Sequence, residues 1–169
     1  MPRRSLALFP LLDLGPQISG DAEAQLALSQ TLDAPRLSVL LAAHDLRISG
    51  SAAAAPLSLQ VNVDYAPVQG ALAAHVSGSS SGRSVLLGKF DGHVPGHLFS
   101  TEAPWDAKAQ LTLNRFPLRV IEPLAAGGVD GYVSGWATLD TAAPLFEAAL
   151  KLDDLVAGRA ALGGGLVSL

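Results

Sequence analysis

Nine consecutive residues, 57–65, alternate strictly between apolar and polar side chains. The apolar members are Leu57, Leu59, Val61, Val63 and Tyr65, with Ser58, Gln60, Asn62 and Asp64 between them. A strand places these two sets on opposite faces, whereas a helix would spread each set around its whole circumference. The alternation therefore predicts a half-buried β-strand with one apolar face.

The same alternation recurs in other segments and predicts an all-β fold. The recurrences are residues 37–41, 72–76, 107–113, 129–139 and 146–152. In the strand that begins with residues 37–41, the alternation of apolar and polar residues changes phase near Asp45, which predicts a bulge or a turn. Such short strands at near-regular spacing are typical of a sheet, a sandwich or an open barrel.

Turn residues separate the alternating segments and predict where the chain reverses. We expect a break at Ala66-Pro67, a hairpin loop over residues 78–82, and turns at Asp91-Gly92 and Pro95-Gly96. One short helix is predicted near residues 118–126, after Pro117.

The composition restricts the classes of protein that this chain can belong to. Hydrophobic residues make up 49% of the chain and charged residues only 15%, against about 25% charged in an average globular domain. Such a chain must bury most of its side chains or expose apolar surface. No segment reaches the roughly 18 apolar residues that a membrane-spanning helix requires. The net charge of -4 and the scattered basic residues argue against nucleic-acid binding.

Candidate catalytic and metal-binding patterns are weak, and we predict no enzyme, no cofactor and no metal. Residues 78–82 match the pattern of a nucleophile elbow, but that elbow needs a following helix and residues 84–90 read as a strand. His93 and His97 have the spacing of two ligands on a helix, which Pro95 forbids. The aspartates are better explained as turn caps than as calcium ligands; these are Asp130, Asp140, Asp153 and Asp154.

Two segments, around residues 18–48 and 129–156, share a repeated phrase. In the first, Ala34-Pro35 precedes an alternating strand and Asp45-Leu46 follows it. In the second, Ala143-Pro144 and Asp154-Leu155 stand at the same distance. A Ser-Gly pair lies upstream of each, at Ser19-Gly20 and at Ser134-Gly135. The repeat predicts a sheet that grows by adding similar hairpins. We interpret residues 1–169 as a single β segment of a larger protein.

This phrase resembles the TamB family (translocation and assembly module subunit), within the AsmA-like, bridge-like lipid-transfer proteins. Phe116-Pro117-Leu118, followed by residues 129–135, is similar to the family's Pro-Leu helix leading into a Gly-x-x-Ser-Gly strand. The resemblance implies an elongated, curled β-sheet, a "β-taco" or open trough of jellyroll-like form with an apolar interior. It also implies a parent protein that is anchored in the inner membrane of a diderm bacterium and extends through the periplasm.

The function that follows from the resemblance is sheltering of acyl chains during phospholipid transport to, and assembly of, the outer membrane. Each methylene group taken out of water contributes about 0.8 kcal/mol, so an apolar strand face suffices and no polar motif is needed. The residues expected to line the groove are Leu57, Leu59, Val61, Val63, Ala109, Leu111, Leu113, Phe146, Ala148, Leu150 and Leu152.

The expected partners are a phospholipid or other acyl lipid, an outer-membrane barrel assembly protein, and further copies of the chain through sheet edges or ends. Two alternatives remain open from the sequence. One is a non-catalytic structural or interaction β-module of an envelope assembly protein or adhesin, with a closed core. The other is a soluble β-barrel carrier of the lipocalin kind.

Overall fold

The chain forms one antiparallel sheet in which the strands follow chain order. The structure, a computed structural model, describes residues 4–5, 18–29, 35–48, 56–93, 106–121, 124 and 127–169. The strands are β1 (Arg4–Ser5), β2 (Ile18–Ser29), β3 (Arg36–Ile48), β4 (Leu57–Ala66), β5 (Ala71–Ser80), β6 (Arg83–His93), β7 (Asp106–Pro117), β8 (Val129–Asp140), β9 (Leu145–Ala157) and β10 (Ala160–Ser168). The predicted all-β class is confirmed.

Most of the predicted strands and breaks lie where alternation and turn residues placed them. The segment 57–65 forms most of β4, and β4 ends at Ala66, where a 3-10 helix follows at Pro67–Gln69. The hairpin over residues 78–82 is present, but its turn is only Ser81 and Gly82 because both strands run further than predicted. The predicted turn at Pro95-Gly96 lies outside the described residues.

The predicted turn at Asp91-Gly92 is wrong, because both residues belong to β6. Gly92 stands between Leu72 on β5 and Ala107 on β7 in an unbroken ladder. A Cβ atom on Gly92 would lie 2.8 Å from Cε1 of Phe90. The glycine therefore makes room for the neighbouring aromatic ring and does not reverse the chain.

In the described part of residues 118–126, where a short helix was predicted, a 3-10 helix lies at Leu118–Val120 and Leu124 is α-helical. Ile121 already has extended backbone angles, φ -89 and ψ 104. Residues 122, 123, 125 and 126 lie outside the described residues. Leu118 is buried and anchors this turn against the sheet.

The sheet is open and uncurled, so the expected trough and jellyroll shapes are corrected to a single layer. Each strand pairs with its neighbours in sequence, and β1 does not pair with β10. Curvature requires bulges or glycine kinks along the strands. Here the register shifts between strands lie towards one end of the strands, and the ladders are regular over the rest of their length.

The phase slip predicted near Asp45 is confirmed, and the same bulge occurs in the second copy of the repeated phrase. Asp45 and Asp154 have left-handed φ angles of 53° and 54°. Each faces a glycine on the preceding strand, Gly20 or Gly131, at a register shift. A Cβ atom would lie 2.8 Å from a carbonyl oxygen at Gly20 and 3.0 Å at Gly131. The structural counterpart of Gly20 is therefore Gly131, not the Gly135 that the sequence comparison used.

A single layer buries few side chains, and this sheet follows that rule. The buried hydrophobic residues among those described are Ala42, Leu57, Tyr65, Val85, Ala107, Leu118, Val133 and Ala148. Most other described side chains are half-buried or exposed, so both faces of the sheet remain largely accessible.

Candidate functional site

The strand register joins the apolar rows of separate strands into one continuous surface. In an antiparallel sheet, directly opposed residues point to the same face. A central row crosses β2 to β9 through Ala24, Leu41, Val61, Val76, Gly88, Leu111, Ala137 and Ala148. The next row crosses the same strands through Leu26, Val39, Val63, Ala74, Phe90, Ala109, Leu139 and Phe146. We call the surface that contains these rows the apolar face.

All eleven residues predicted to line a groove lie on the apolar face. Leu57, Leu59, Val61 and Val63 come from β4. Ala109, Leu111 and Leu113 come from β7, and Phe146, Ala148, Leu150 and Leu152 come from β9. The register places β5 and β6 between β4 and β7, and β8 between β7 and β9. The structure thus brings the three predicted rows into one plane without forming a closed groove around them.

The predicted residues differ in how much surface they offer to a ligand. Phe146 is 54% exposed and Leu111 is 38% exposed. Leu57, at 2% exposed, is a core residue that pairs with Leu46 and Ser80 beside the β3 bulge. Ala148 is also buried. The accessible part of the apolar face is therefore its middle and its ends on β2 and β9, not the Leu57 corner.

Sequence reasoning missed the contribution of β6 to the apolar face. The residues concerned are Leu86, Gly88, Phe90 and Gly92. They alternate with Leu87, Lys89 and Asp91. Because Gly88 and Gly92 carry no apolar side chain, the sequence of β6 does not show an alternating apolar row. The register across β5 to β7 is what shows that Gly88 lies between Val76 and Leu111.

The opposite face of the sheet, which we call the polar face, carries polar side chains and ion pairs. A shallow cavity of about 440 Å³ on it is lined by polar groups that include Gln60, Asn62, His75 and Gln110. Lys89 Nζ lies 2.6 Å from Asp91 Oδ2, and further ion pairs join Lys108 to Asp140 and Lys151 to Asp153. Exposed Leu87 and Trp136 interrupt this face and lie on either side of Thr112 in one row.

The aspartates singled out in the sequence bind neighbouring basic groups and turn amides. Asp140 Oδ1 accepts hydrogen bonds from the backbone amides of Ala142 and Ala143, at 3.0 Å and 3.4 Å. The hydrogen bond from Lys108, together with these amides, lowers the pKa of the Asp140 carboxyl against an opposing effect of burial. Asp140 therefore stays ionised and caps the turn between β8 and β9.

A second polar cluster lies where β7 and β8 meet. The Arg115 guanidinium stacks 4.3 Å from the centre of the Tyr132 ring and donates to Asp154 Oδ2 at 3.2 Å. Arg119 pairs with Asp130. These partners neutralise the two arginines, and within the described ranges no group of three His, Cys, Asp or Glu side chains is arranged to hold a metal ion.

The remaining candidate catalytic and aromatic residues are dispersed. Ser80 ends β5 and β6 follows the turn, so the strand and helix of a nucleophile elbow are not formed. His93 ends β6, while His97 and Trp105 lie outside the described residues. In the part of the chain that is described, no helix is long and apolar enough to cross a membrane.

The chain matches no protein-family model, no curated protein and no solved structure. The apolar face is therefore the structural feature that bears most directly on function.

Proposed function

We propose that this chain is a segment of a lipid-transfer protein and that its apolar face shelters lipid acyl chains. The observation that supports the proposal is the continuous apolar surface across β2 to β10, with no second layer placed over it among the described residues. A surface of this extent is unusual on a monomeric protein and is typical of an interaction site.

The dimensions of the apolar face suit a hydrocarbon chain. Nine strands, β2 to β10, at a spacing of roughly 4.8 Å make the face about 38 Å across. The hydrocarbon core of a whole bilayer is about 30 Å thick. An extended acyl chain therefore fits along a row with length to spare, and each methylene that leaves water contributes about 0.8 kcal/mol.

The relief of the apolar face also suits flexible chains better than a rigid protein partner. Small residues interrupt the large side chains along the rows: Leu111 lies between Gly88 and Ala137. In the next row, Ala109 lies between Phe90 and Leu139. An acyl chain can follow such shallow depressions without a specific polar contact, which agrees with the apolar character of both rows.

The proposal extends to the setting that the family resemblance implies. We place the parent protein in the periplasm, anchored in the inner membrane of a diderm bacterium, where it would support phospholipid transport and assembly of the outer membrane. An outer-membrane barrel assembly protein is the proposed protein partner. The repeated phrases of residues 18–48 and 129–156 support this setting. The uncurled sheet changes the proposed lipid site from the interior of a curled, open trough to an accessible face.

Native mass spectrometry of the protein purified from bacterial membranes tests the proposal. We expect phospholipid adducts on the folded chain, and rebinding of a fluorescent phospholipid after delipidation. Contradiction would come from a folded, delipidated chain with no measurable lipid affinity. A face buried against another protein in solution would instead favour the structural or interaction module.

A further inference from the structure

The strands β6 and β7 separate from each other at one end of the sheet. Their ladder ends at the pair formed by Leu86 and Leu113. β6 nevertheless begins before Leu86, and β7 runs on past Leu113, where it pairs with β8 alone among the described strands. Asn114 Nδ2 bridges the gap by donating to the backbone oxygen of Ser84, at 3.4 Å. The sheet therefore has an opening between β6 and β7 at this end.

A cavity of about 610 Å³ occupies this opening, which is a common size for a ligand-binding cavity. We call it the arginine cavity. Its lining includes three arginines, one aspartate and two further side chains that can donate hydrogen bonds. These residues are Arg83, Arg115, Arg119, Asp130, Asn114 and Tyr132. The lining thus brings together basic side chains from both sides of the opening.

Bulges in two ladders border the arginine cavity. Asn114 and Arg115 together oppose Ser134 in the β7–β8 ladder, and Val85 is the extra residue in the β5–β6 ladder. Arg115 has a left-handed φ of 46°, and its amide donates to Ser134 Oγ at 2.9 Å. A bulge redirects a side chain relative to the regular strand. The bulge in β7 therefore fixes the backbone that carries Arg115 into the lining.

The two paired arginines are held in position but keep hydrogen-bond donors for a ligand. Arg115 donates through Nη2 to Asp154 Oδ2 and stacks on the ring of Tyr132. Arg119 pairs with Asp130, also through Nη2. A guanidinium group has five N–H donors. Within the described ranges no residue accepts from the others, so each arginine can still bind an anion.

Arg83 gives the arginine cavity a positive charge that the protein does not compensate. Its side chain is exposed and forms neither a hydrogen bond nor an ion pair with any described residue. Asp130 and Asp154 offset one arginine each. Both oxygens of Asp130 are occupied, by Arg119 and by the amide of Gly131 at 2.8 Å. One positive charge is therefore left for a ligand.

We propose that the arginine cavity binds a phosphate group, with Arg83 and Arg115 as its main contacts. The planar guanidinium group matches two phosphate oxygens at once. The Asn114 amide and the Tyr132 hydroxyl line the same cavity and can donate to further oxygens. None of the eleven residues predicted to line a groove borders this cavity, so the proposal does not depend on the lipid function.

Isothermal titration calorimetry of the full chain with glycerol 3-phosphate at low salt tests the proposal. We expect binding by the unsubstituted chain and an affinity at least about tenfold lower in Arg83→Gln, because charge-assisted hydrogen bonds to the phosphate are lost. Arg83→Lys, which keeps the charge without the planar fork, should bind with intermediate affinity. Since Arg83 has no partner among the described residues, the urea midpoint should not change in either variant.

Arg159→Gln is the matched control, because it removes the same charge from an exposed arginine in the turn between β9 and β10. Arg159 does not line the arginine cavity, so its loss should leave the affinity unchanged. An unsubstituted chain that does not bind glycerol 3-phosphate, an unchanged affinity in Arg83→Gln, or an equal loss in Arg83→Gln and Arg159→Gln would each overturn the proposal.

Vesicles identify the source of the phosphate group. The probes are phosphatidylcholine vesicles with and without phosphatidic acid, each mixed with the unsubstituted chain and with Arg83→Gln. Extra binding that requires both phosphatidic acid and Arg83 would assign the arginine cavity to a lipid headgroup. Binding of glycerol 3-phosphate without such extra binding would assign it to a soluble organic phosphate.

Discussion

Gly135→Ala should lower the free energy of unfolding by about 3 kcal/mol, although it adds only one methyl group. Gly135 lies in β8 with φ +146°, a conformation that side chains rarely adopt. A Cβ atom there would lie 2.1 Å from the backbone oxygen of Ala149 on β9. Since backbone on a paired strand cannot move aside cheaply, overpacking and backbone strain add.

Gly165→Ala is the matched control for this substitution. Gly165 lies on the apolar face of β10 without a positive φ, and a Cβ atom there meets nothing within 4 Å. We expect a change within about 0.5 kcal/mol. Urea unfolding followed by circular dichroism compares the two midpoints. Equal midpoints would contradict the close approach of β8 and β9 that fixes the centre of the apolar face.

Leu111→Asp should weaken binding of a fluorescent phospholipid by about tenfold or more. Leu111 lies at the middle of the apolar face. A charged group there keeps an acyl chain from contacting the residues around position 111. Loss of contact with two methylenes, at about 0.8 kcal/mol each, corresponds to roughly a tenfold loss of affinity. The side chain is 38% exposed, so the carboxylate remains hydrated and the fold should tolerate it.

Thr112→Asp is the control, because it adds the same charge one residue further along β7. Thr112 is opposed to Leu87 and Trp136 on the polar face and is exposed. We expect lipid affinity to be unchanged in this variant. An equal loss of affinity in both variants would show that net charge, not the apolar face, controls binding.

Alternation and turn chemistry were sufficient to predict the central strands β3 to β9, but they predicted no strand at β10 (Ala160–Ser168). The alternation of residues 57–65 predicted both the strand and the face on which each side chain lies, since a helix does not have a period of two residues. The change of phase near Asp45 could also be predicted, because Leu46 breaks the alternation set by Leu37 and Leu41. The pairing of β4 with β5 then follows from the short connection at residues 67–70.

What the sequence could not supply depends on contacts between strands. Gly92 looks like a turn residue in isolation, and only the Phe90 ring beside it explains a glycine within a ladder. The counterpart of Gly20 was misplaced at Gly135 because both follow a serine, whereas strand pairing identifies Gly131. The curl of the sheet depends on where bulges fall along every strand at once, which local alternation does not encode.

Photo-crosslinking from adjacent residues of β4 tests most directly whether the apolar face holds acyl chains. A photoreactive side chain at Val61 lies on the apolar face, and the same side chain at Asn62 lies on the polar face, opposite His75. Both positions are half-buried, so their accessibility is comparable. In cells, we predict lipid adducts at Val61 and none at Asn62. Protein adducts alone at Val61, or lipid adducts at both positions, would contradict the account.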